Sequence, residues 1–132
     1  MLLSEVPCRG EVLVVEDEPM LLDMLRRVLE HAGFRSTLAR DADEAFAGLA
    51  SRGSTFCAAY LDLTLSGVSG AQVLARLRAE HPTLPVVLSS GRDYRTIAPE
   101  VLAMATVLLP KPYNLCELVG AIEGAARASA PR

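Results

Sequence analysis

Short apolar segments alternate with amphipathic segments along the chain, and this alternation limits the fold more than any other feature. The apolar segments span residues 11–16, 34–39, 56–61, 86–89 and 106–109. Most are apolar throughout, which is typical of strands buried on both faces of a sheet, whereas 34–39 alternates weakly and is predicted to be an edge strand. Five strand–helix units in strict alternation favour an α/β fold: a parallel sheet with helices on both faces.

The amphipathic segments predict five helices of unequal quality. The first starts at Pro19 and ends at Gly33, and the next two cover 41–51 and 71–80. Proline suits a first helical turn, and glycine suits a helix end. The fourth segment, 94–103, contains a proline in its middle, so we expect a short, irregular or mobile helix. A final helix begins near residue 115.

Length and composition restrict the class of protein. The chain has 132 residues, a net charge of −3 and no basic cluster, so we expect one domain that contacts neither nucleic acid nor membrane. The apolar runs are far shorter than the ~20 residues that span a bilayer. We expect a cytoplasmic protein with reduced cysteines. The predicted divisions are an N-terminal extension (1–10), a domain (11–127) and a frayed tail (128–132).

Reactive side chains follow four of the five predicted strands. They are Glu16 and Asp17 after the first strand, Asp62 after the third, Ser90 after the fourth and Lys111 after the fifth. Ligand sites of open parallel sheets lie beyond the carboxyl ends of the strands. Clustered carboxylates repel one another unless a cation is present, and Mg²⁺ prefers such oxygen ligands. A carboxylate can also be the nucleophile that forms an acyl phosphate.

Each of these residues alone has an ordinary structural explanation. An aspartate after a strand is commonly a turn or cap residue, and a serine–glycine pair is commonly a turn. Their joint position after strands one, three, four and five favours one shared site instead.

Four motifs in order resemble the receiver domains of response regulators, over about residues 11–127. They are an acidic pair after a strand in 12–19, the Leu-Asp-Leu of 61–63 with later glycines at 67 and 70, the Leu-Ser-Ser-Gly of 88–91, and the Leu-Pro-Lys-Pro-Tyr of 109–113. The resemblance implies a flavodoxin-like (βα)5 sheet with strand order 2-1-3-4-5.

The resemblance also implies roles for single residues. Asp62 would accept a phosphoryl group from a histidine kinase or a histidine phosphotransfer protein. Glu16, Asp17, Asp62 and the backbone carbonyl of Thr64 would bind Mg²⁺, with Mn²⁺ as an alternative ion. Ser90 and Lys111 would contact the phosphoryl group, and the Lys111–Pro112 bond would be cis. The only reactions expected are self-catalysed phosphotransfer and autodephosphorylation.

Further positions concern regulation. By the same resemblance, Thr64 and Arg92 would flank the phosphate entrance and tune hydrolysis, while Ser90 and Leu108 would form the switch. Leu108 stands where many relatives have an aromatic ring, so the usual ring movement is in doubt. The expected output face combines helix four, strand five and helix five, with these candidates: Arg92, Tyr94, Arg95, Leu108 and Glu117.

Two other functions remain open. The chain could be a pseudo-receiver that acts as an interaction module without phosphorylation. More remotely, residues 62–66 resemble the nucleophile loop of haloacid-dehalogenase-type phosphatases, but Thr64 occupies the position of their second aspartate. The sequence is consistent with either a stand-alone receiver or part of a longer chain, and Met1 favours the former.

Overall fold

A computed structural model describes residues 9–52, 55–65 and 69–129. Five parallel strands form one sheet in the order β2-β1-β3-β4-β5, which confirms the predicted topology. The elements in chain order are β1 Glu11–Val15, α1 Pro19–His31, β2 Arg35–Ala39, α2 Ala42–Arg52, β3 Phe56–Asp62, α3 Gly70–Glu80, β4 Val86–Ser90, a 3₁₀ turn Tyr94–Thr96, α4 Pro99–Met104, β5 Val107–Pro110 and α5 Leu115–Ser129.

Two aliphatic cores cover the two faces of the sheet. On one face, Leu25 of α1 and Ile122 of α5 pack with Val14 of β1. On the other, Leu49 of α2 and Leu74 of α3 pack with Leu13 of β1. Each fully buried side chain of this size contributes roughly 1.5–3 kcal/mol of burial free energy. Alternate residues of one strand thus serve opposite cores, as the strand period of two requires.

The same alternation determines which residues share a face at the rim, the edge of the sheet where the carboxyl ends of the five strands lie. Val14, Tyr60 and Leu109 belong to the core with α1 and α5. The residues two positions further along the chain, Glu16, Asp62 and Lys111, therefore extend that same face at the ends of β1, β3 and β5. The α/β topology thus brings together three residues that are far apart in sequence.

The segment around the fourth helix is short and irregular, as predicted. A 3₁₀ turn, Tyr94–Thr96, precedes an α4 of only six residues, whose first residue is Pro99. The far end of α4 is held by Arg78 of α3, whose guanidinium donates to the carbonyl oxygens of Met104 (2.7 Å) and Leu84 (2.6 Å).

Several boundaries differ from the sequence-based expectation. Helix α5 continues through Ser129, so the first two residues of the predicted frayed tail are helical. Helix α3 begins at Gly70, which was expected to close the preceding loop. Gly67 of that loop and residues 1–8 lie outside the described residues. The Lys111–Pro112 peptide bond is cis, as expected.

Within the described ranges, none of the helices has the length and apolar character that crossing a membrane requires.

Gly70 allows close packing of α3 beneath the loop that leaves Asp62. A Cβ atom at this position would collide with backbone atoms of Leu63 and Asp62. We predict that Gly70→Ala lowers the free energy of unfolding by about 1–3 kcal/mol, the usual cost of overpacking. Urea denaturation followed by circular dichroism measures this change.

Gly120 of α5 is the matched control for this substitution. It is exposed, and a Cβ atom added there would have no neighbouring atom within 4 Å. Gly120→Ala should raise the free energy of unfolding by about 0.5–1 kcal/mol through helix propensity. Equal effects of the two substitutions would contradict the packing role of Gly70.

Candidate functional site

Both carboxylate oxygens of Asp62 accept hydrogen bonds at the rim. It ends β3 and is buried. Its Oδ1 accepts the backbone N–H of Thr64 at 2.8 Å, and its Oδ2 accepts Lys111 Nζ at 2.9 Å. Charge-assisted hydrogen bonds of this length are stronger than neutral ones. Both oxygens are therefore oriented by the protein.

Lys111 reaches Asp62 from the loop after β5. Its backbone N–H donates to Ser90 O at 2.9 Å, which continues the strand pairing one residue beyond β5. Its Nζ lies 3.8 Å from Glu16 Oε2, too far for a hydrogen bond but close enough for strong attraction. The ammonium thus faces two buried carboxylates.

Glu16, Asp17 and Asp62 form a cluster of three carboxylates. One ligand oxygen from each lies within 4.8 Å of the others. Glu16 Oε1 accepts the N–H of Glu18 at 3.2 Å, whereas the buried Oε2 accepts no hydrogen bond from any group in the described part of the chain. A buried acceptor without a donor suits a cation ligand, and hard oxygen donors suit Mg²⁺.

The crowding of these carboxylates changes their protonation. Burial, followed by the hydrogen bond and the charge of Asp62, raises the pKa of Glu16 to about 8. Burial also acts to raise the pKa of Asp62, but hydrogen bonds from Glu16, the Thr64 amide and Lys111 bring it below its ordinary value. Burial disfavours the charged Lys111, yet its bond to Asp62 prevails and raises the pKa of the ammonium. The pKa values of the two neighbouring carboxyl groups are therefore shifted in opposite directions, upward for Glu16 and downward for Asp62.

Ser90, Arg92 and Leu108 lie near the rim, and in the described part of the chain their hydrogen bonds go to groups other than Asp62. Ser90 Oγ accepts the N–H of Arg92 at 3.0 Å. The exposed Arg92 directs its guanidinium to Thr96 O at 3.1 Å, along the 3₁₀ turn. Leu108 is 42% exposed on the edge strand β5. The structure therefore places Ser90 between the carboxylate cluster and the irregular segment before α4.

Besides Arg92, two further candidates for the output face have local partners. Arg95 forms an ion pair with Asp93 at 2.8 Å. Glu117 caps α5: its carboxylate accepts the N–H of Asn114 at 3.0 Å, and its own N–H donates to the Asn114 side chain at 2.8 Å. Tyr94 is 58% exposed. Glu117 therefore has a structural explanation that the sequence pattern did not indicate.

Two features of the site were not anticipated from the sequence. The expectation for Thr64 concerned its carbonyl and side chain, whereas its backbone N–H is what contacts Asp62. The second feature is a hydrogen bond of 2.8 Å between the hydroxyls of Tyr60 and Tyr113. The tyrosine in the middle of a predicted buried strand was the available signal, because a buried phenol requires a hydrogen-bond partner.

The chain is similar in sequence to known proteins. A family model described as the response regulator receiver domain matches residues 12–123. The chain is 34% identical over 112 residues to the nitrogen assimilation regulatory protein NtrX of Azorhizobium caulinodans, covering 83% of this chain and 24% of that protein. It is 31% identical over 124 residues to the transcriptional regulatory protein FixJ of Bradyrhizobium diazoefficiens, covering 93% and 60%. The chain thus spans only part of these relatives.

Solved structures share the fold. NtrX from Brucella abortus superposes with a TM-score of 0.83 at 30% identity, over 92% of this chain and 28% of that one. A receiver domain protein from Clostridium thermocellum superposes with a TM-score of 0.81 at 24% identity, over 89% of this chain and 94% of that one.

The raised pKa of Glu16 predicts how stability depends on pH when a chelator removes divalent cations. Between pH 4.5 and about 8, folded Glu16 keeps a proton that the unfolded chain releases. The folded state binds more protons, so the free energy of unfolding should fall as pH rises through this interval. Asp62, whose pKa is lowered, titrates below the interval and does not change this sign. Urea denaturation at several pH values measures the slope.

Glu16→Gln is the control for this pH dependence. The amide cannot titrate, so the variant should show a smaller decrease in stability over the same interval. An identical slope in both proteins would contradict the assignment to Glu16.

Proposed function

The chain belongs to the response regulator receiver domain family, and on that premise we propose that Asp62 accepts a phosphoryl group from a phosphohistidine. One observation carries the proposal: a buried aspartate at a strand end is held by a lysine at 2.9 Å and lies within a cluster of three carboxylates. A carboxylate in this setting is oriented for attack, and the adjacent ammonium can neutralise a transferred phosphoryl group.

The chain's own groups would act mainly by positioning and by charge. The Thr64 N–H and Lys111 Nζ orient the Asp62 carboxylate before the reaction. An O–P bond then forms at Asp62 while the N–P bond of the donor imidazole breaks, and the imidazole leaves with its electron pair. Lys111 stays close to the new acyl phosphate, whose negative charge it stabilises.

Glu16, Asp17, Asp62 and the backbone carbonyl of Thr64 are the groups that would hold Mg²⁺, or alternatively Mn²⁺. The fit is supported by the buried Glu16 Oε2 that lacks a hydrogen-bond donor in the described part of the chain, and by the mutual proximity of the three carboxylates. When bound, the ion neutralises charge on the carboxylates and on the phosphoryl oxygens.

Ser90 connects this chemistry to the segment before α4. Its hydroxyl now accepts the N–H of Arg92. A phosphoryl group adds about −2 charge and three strong acceptors, and binding it requires the Ser90 hydroxyl to donate in that direction. Because phosphate contacts made by Ser90 and Lys111 exist in only one state, phosphorylation shifts the population of conformations.

The surface that responds would be formed by α4, β5 and α5. Ser90, Leu108 and Arg92 line a small apolar cavity at its edge, together with Tyr94. Leu108 offers no ring to rotate, so the conformational change would pass through the hydrogen bond between Ser90 and Arg92.

By the family resemblance, Thr64 and Arg92 would tune hydrolysis of the acyl phosphate. Arg92 would first have to release Thr96 O.

The proposed phosphodonor is a histidine kinase or a histidine phosphotransfer protein. Output is proposed to lie in a partner that binds the α4–β5–α5 surface, or in a further domain like those of longer relatives. Residues 11–127 are the proposed extent of the receiver, and the only catalysis proposed is its own phosphorylation and dephosphorylation.

Phosphorylation at Asp62 is directly measurable. Incubation with acetyl phosphate and Mg²⁺ should add the mass of one phosphoryl group to the intact protein, because the site itself supplies the positioning. Asp62→Asn should abolish the mass gain, since an amide is a far poorer nucleophile. Asp43→Asn, on the exposed side of α2, is the matched control and should react like the unaltered protein. Failure of the unaltered protein to gain mass would favour a pseudo-receiver instead.

Metal binding should stabilise the fold. At a Mg²⁺ concentration of 100 times Kd, the free energy of unfolding should rise by about 2.7 kcal/mol over its value in a chelator. Asp17→Asn should lose most of this gain, because a neutral amide oxygen is a weaker ligand for Mg²⁺ than a carboxylate. Thermal unfolding measures both effects. A Mg²⁺ response that survives in Asp17→Asn would exclude Asp17 as a ligand.

A further inference from the structure

We infer that Tyr60 and Tyr113 act as a positioning pair that holds Lys111 against Asp62 for the proposed phosphoryl transfer. The inference rests on the proposed function and assigns a role to two residues outside the carboxylate cluster. It is carried by the buried contact between the two rings and by the position of Tyr113 in the loop that contains Lys111.

Tyr60 lies directly below the reacting carboxylate. It precedes Asp62 by two residues on β3, so both side chains extend from the same face of the sheet. Its side chain is fully buried, and its hydroxyl lies 2.8 Å from that of the half-buried Tyr113. The rings meet edge to face, with centroids 6.4 Å apart and an angle of 74°. Edge-to-face aromatic pairs are stabilised by their preferred geometry as well as by the apolar area that they bury.

This contact crosses a strand. β4 lies between β3 and β5, and Ser89 of β4 pairs with Asp62 on one side and Leu109 on the other. Ser89 is fully buried and donates its hydroxyl to Leu109 O at 2.9 Å. The Ser89 side chain is small, and its hydroxyl also interacts with that of Tyr60, so residues of β3 and of the loop after β5 can meet beside it.

Two links therefore join β3 to the loop after β5. One is the ion pair between Lys111 Nζ and Asp62 at 2.9 Å, and the other is the hydrogen bond between Tyr113 and Tyr60. The backbone of Lys111 is held at its own N–H by Ser90 O. Tyr113 adds a second anchor two residues later. With the backbone of Lys111 anchored on both sides, holding the ammonium at Asp62 restricts the side-chain rotamers but costs little further backbone entropy.

If Tyr60 and Tyr113 only stabilise the fold, the expected result of removing their hydroxyls is different. If the pair only satisfies two buried hydroxyls, removing both hydroxyls together should restore stability, and the reaction rate should recover with it. If the pair positions Lys111, stability recovers while the rate and the order of the lysine side chain do not. The two roles are thus separable with phenylalanine substitutions, which keep the rings.

The order of the Lys111 side chain can be observed directly by NMR, because Lys111 is the one lysine in the whole chain. Protein grown with ¹³C-lysine gives one set of side-chain NMR signals and needs no assignment. The two protons on the lysine ε-carbon have different chemical shifts when the ammonium is held in place, and the shifts merge when the side chain averages over rotamers.

The experiment compares Tyr113→Phe, the double variant Tyr60→Phe/Tyr113→Phe and the unaltered chain. For each, we measure stability, the lysine ε-proton shifts and the rate of mass gain from acetyl phosphate at saturating Mg²⁺. Leu49→Val is the control for reduced stability alone, because Leu49 is buried on the opposite face of the sheet. It should leave the lysine signals and the rate unchanged.

We expect Tyr113→Phe to be destabilised, to merge the lysine ε-proton shifts and to react about threefold to tenfold more slowly, the rate equivalent of one neutral hydrogen bond. The double variant should regain stability but keep the merged signals and the lower rate. Separate lysine shifts and an unaltered rate in the double variant would overturn the inference. Should the unaltered chain gain no mass, the proposed function fails, while the lysine signals still decide whether the pair positions Lys111.

Discussion

The attraction between Lys111 and the buried carboxylates of Asp62 and Glu16 is the interaction on which the rim depends. Buried charges of one sign are costly, and here a single ammonium, 2.9 Å from Asp62 and 3.8 Å from Glu16, offsets two of them. The compensation is incomplete, because burial and the neighbouring Asp62 still raise the pKa of Glu16 to about 8. Under the proposed function, a bound cation or a phosphoryl group would change this balance directly.

The buried carboxylates and Lys111 lie beside an irregular segment of the chain, the one between β4 and α4. Ser90 ends β4 and holds the N–H of Arg92, after which the chain forms only a 3₁₀ turn and a six-residue α4. Arg78 secures the far end of α4 through backbone carbonyls. The segment between these anchors has few long-range hydrogen bonds among the described residues. Under the proposed function, a changed hydrogen bond at Ser90 would act directly on this segment, without an aromatic ring at Leu108.

Particular residues show how far the sequence predicted the fold and the site. Strand–helix alternation predicted the parallel sheet, and the residues after strands one, three and five do meet at one rim, since parallel strands end on the same edge. Pro99 correctly indicated a poor fourth helix. The capping role of Glu117 and the helical state of residue 128 were not predicted, because helix ends depend on local hydrogen bonds that periodicity does not encode.

What the amino-acid sequence determined by itself was local: where strands and helices form, and which chemical groups follow each strand. Only the tertiary structure decided that the Lys111 ammonium reaches Asp62 and that the hydroxyls of Tyr60 and Tyr113 meet across β4. The physical reason is that hydrogen bonds and pKa shifts depend on distances of a few tenths of an ångström and on burial. Strand register and packing set these quantities between residues that are about fifty positions apart in the chain.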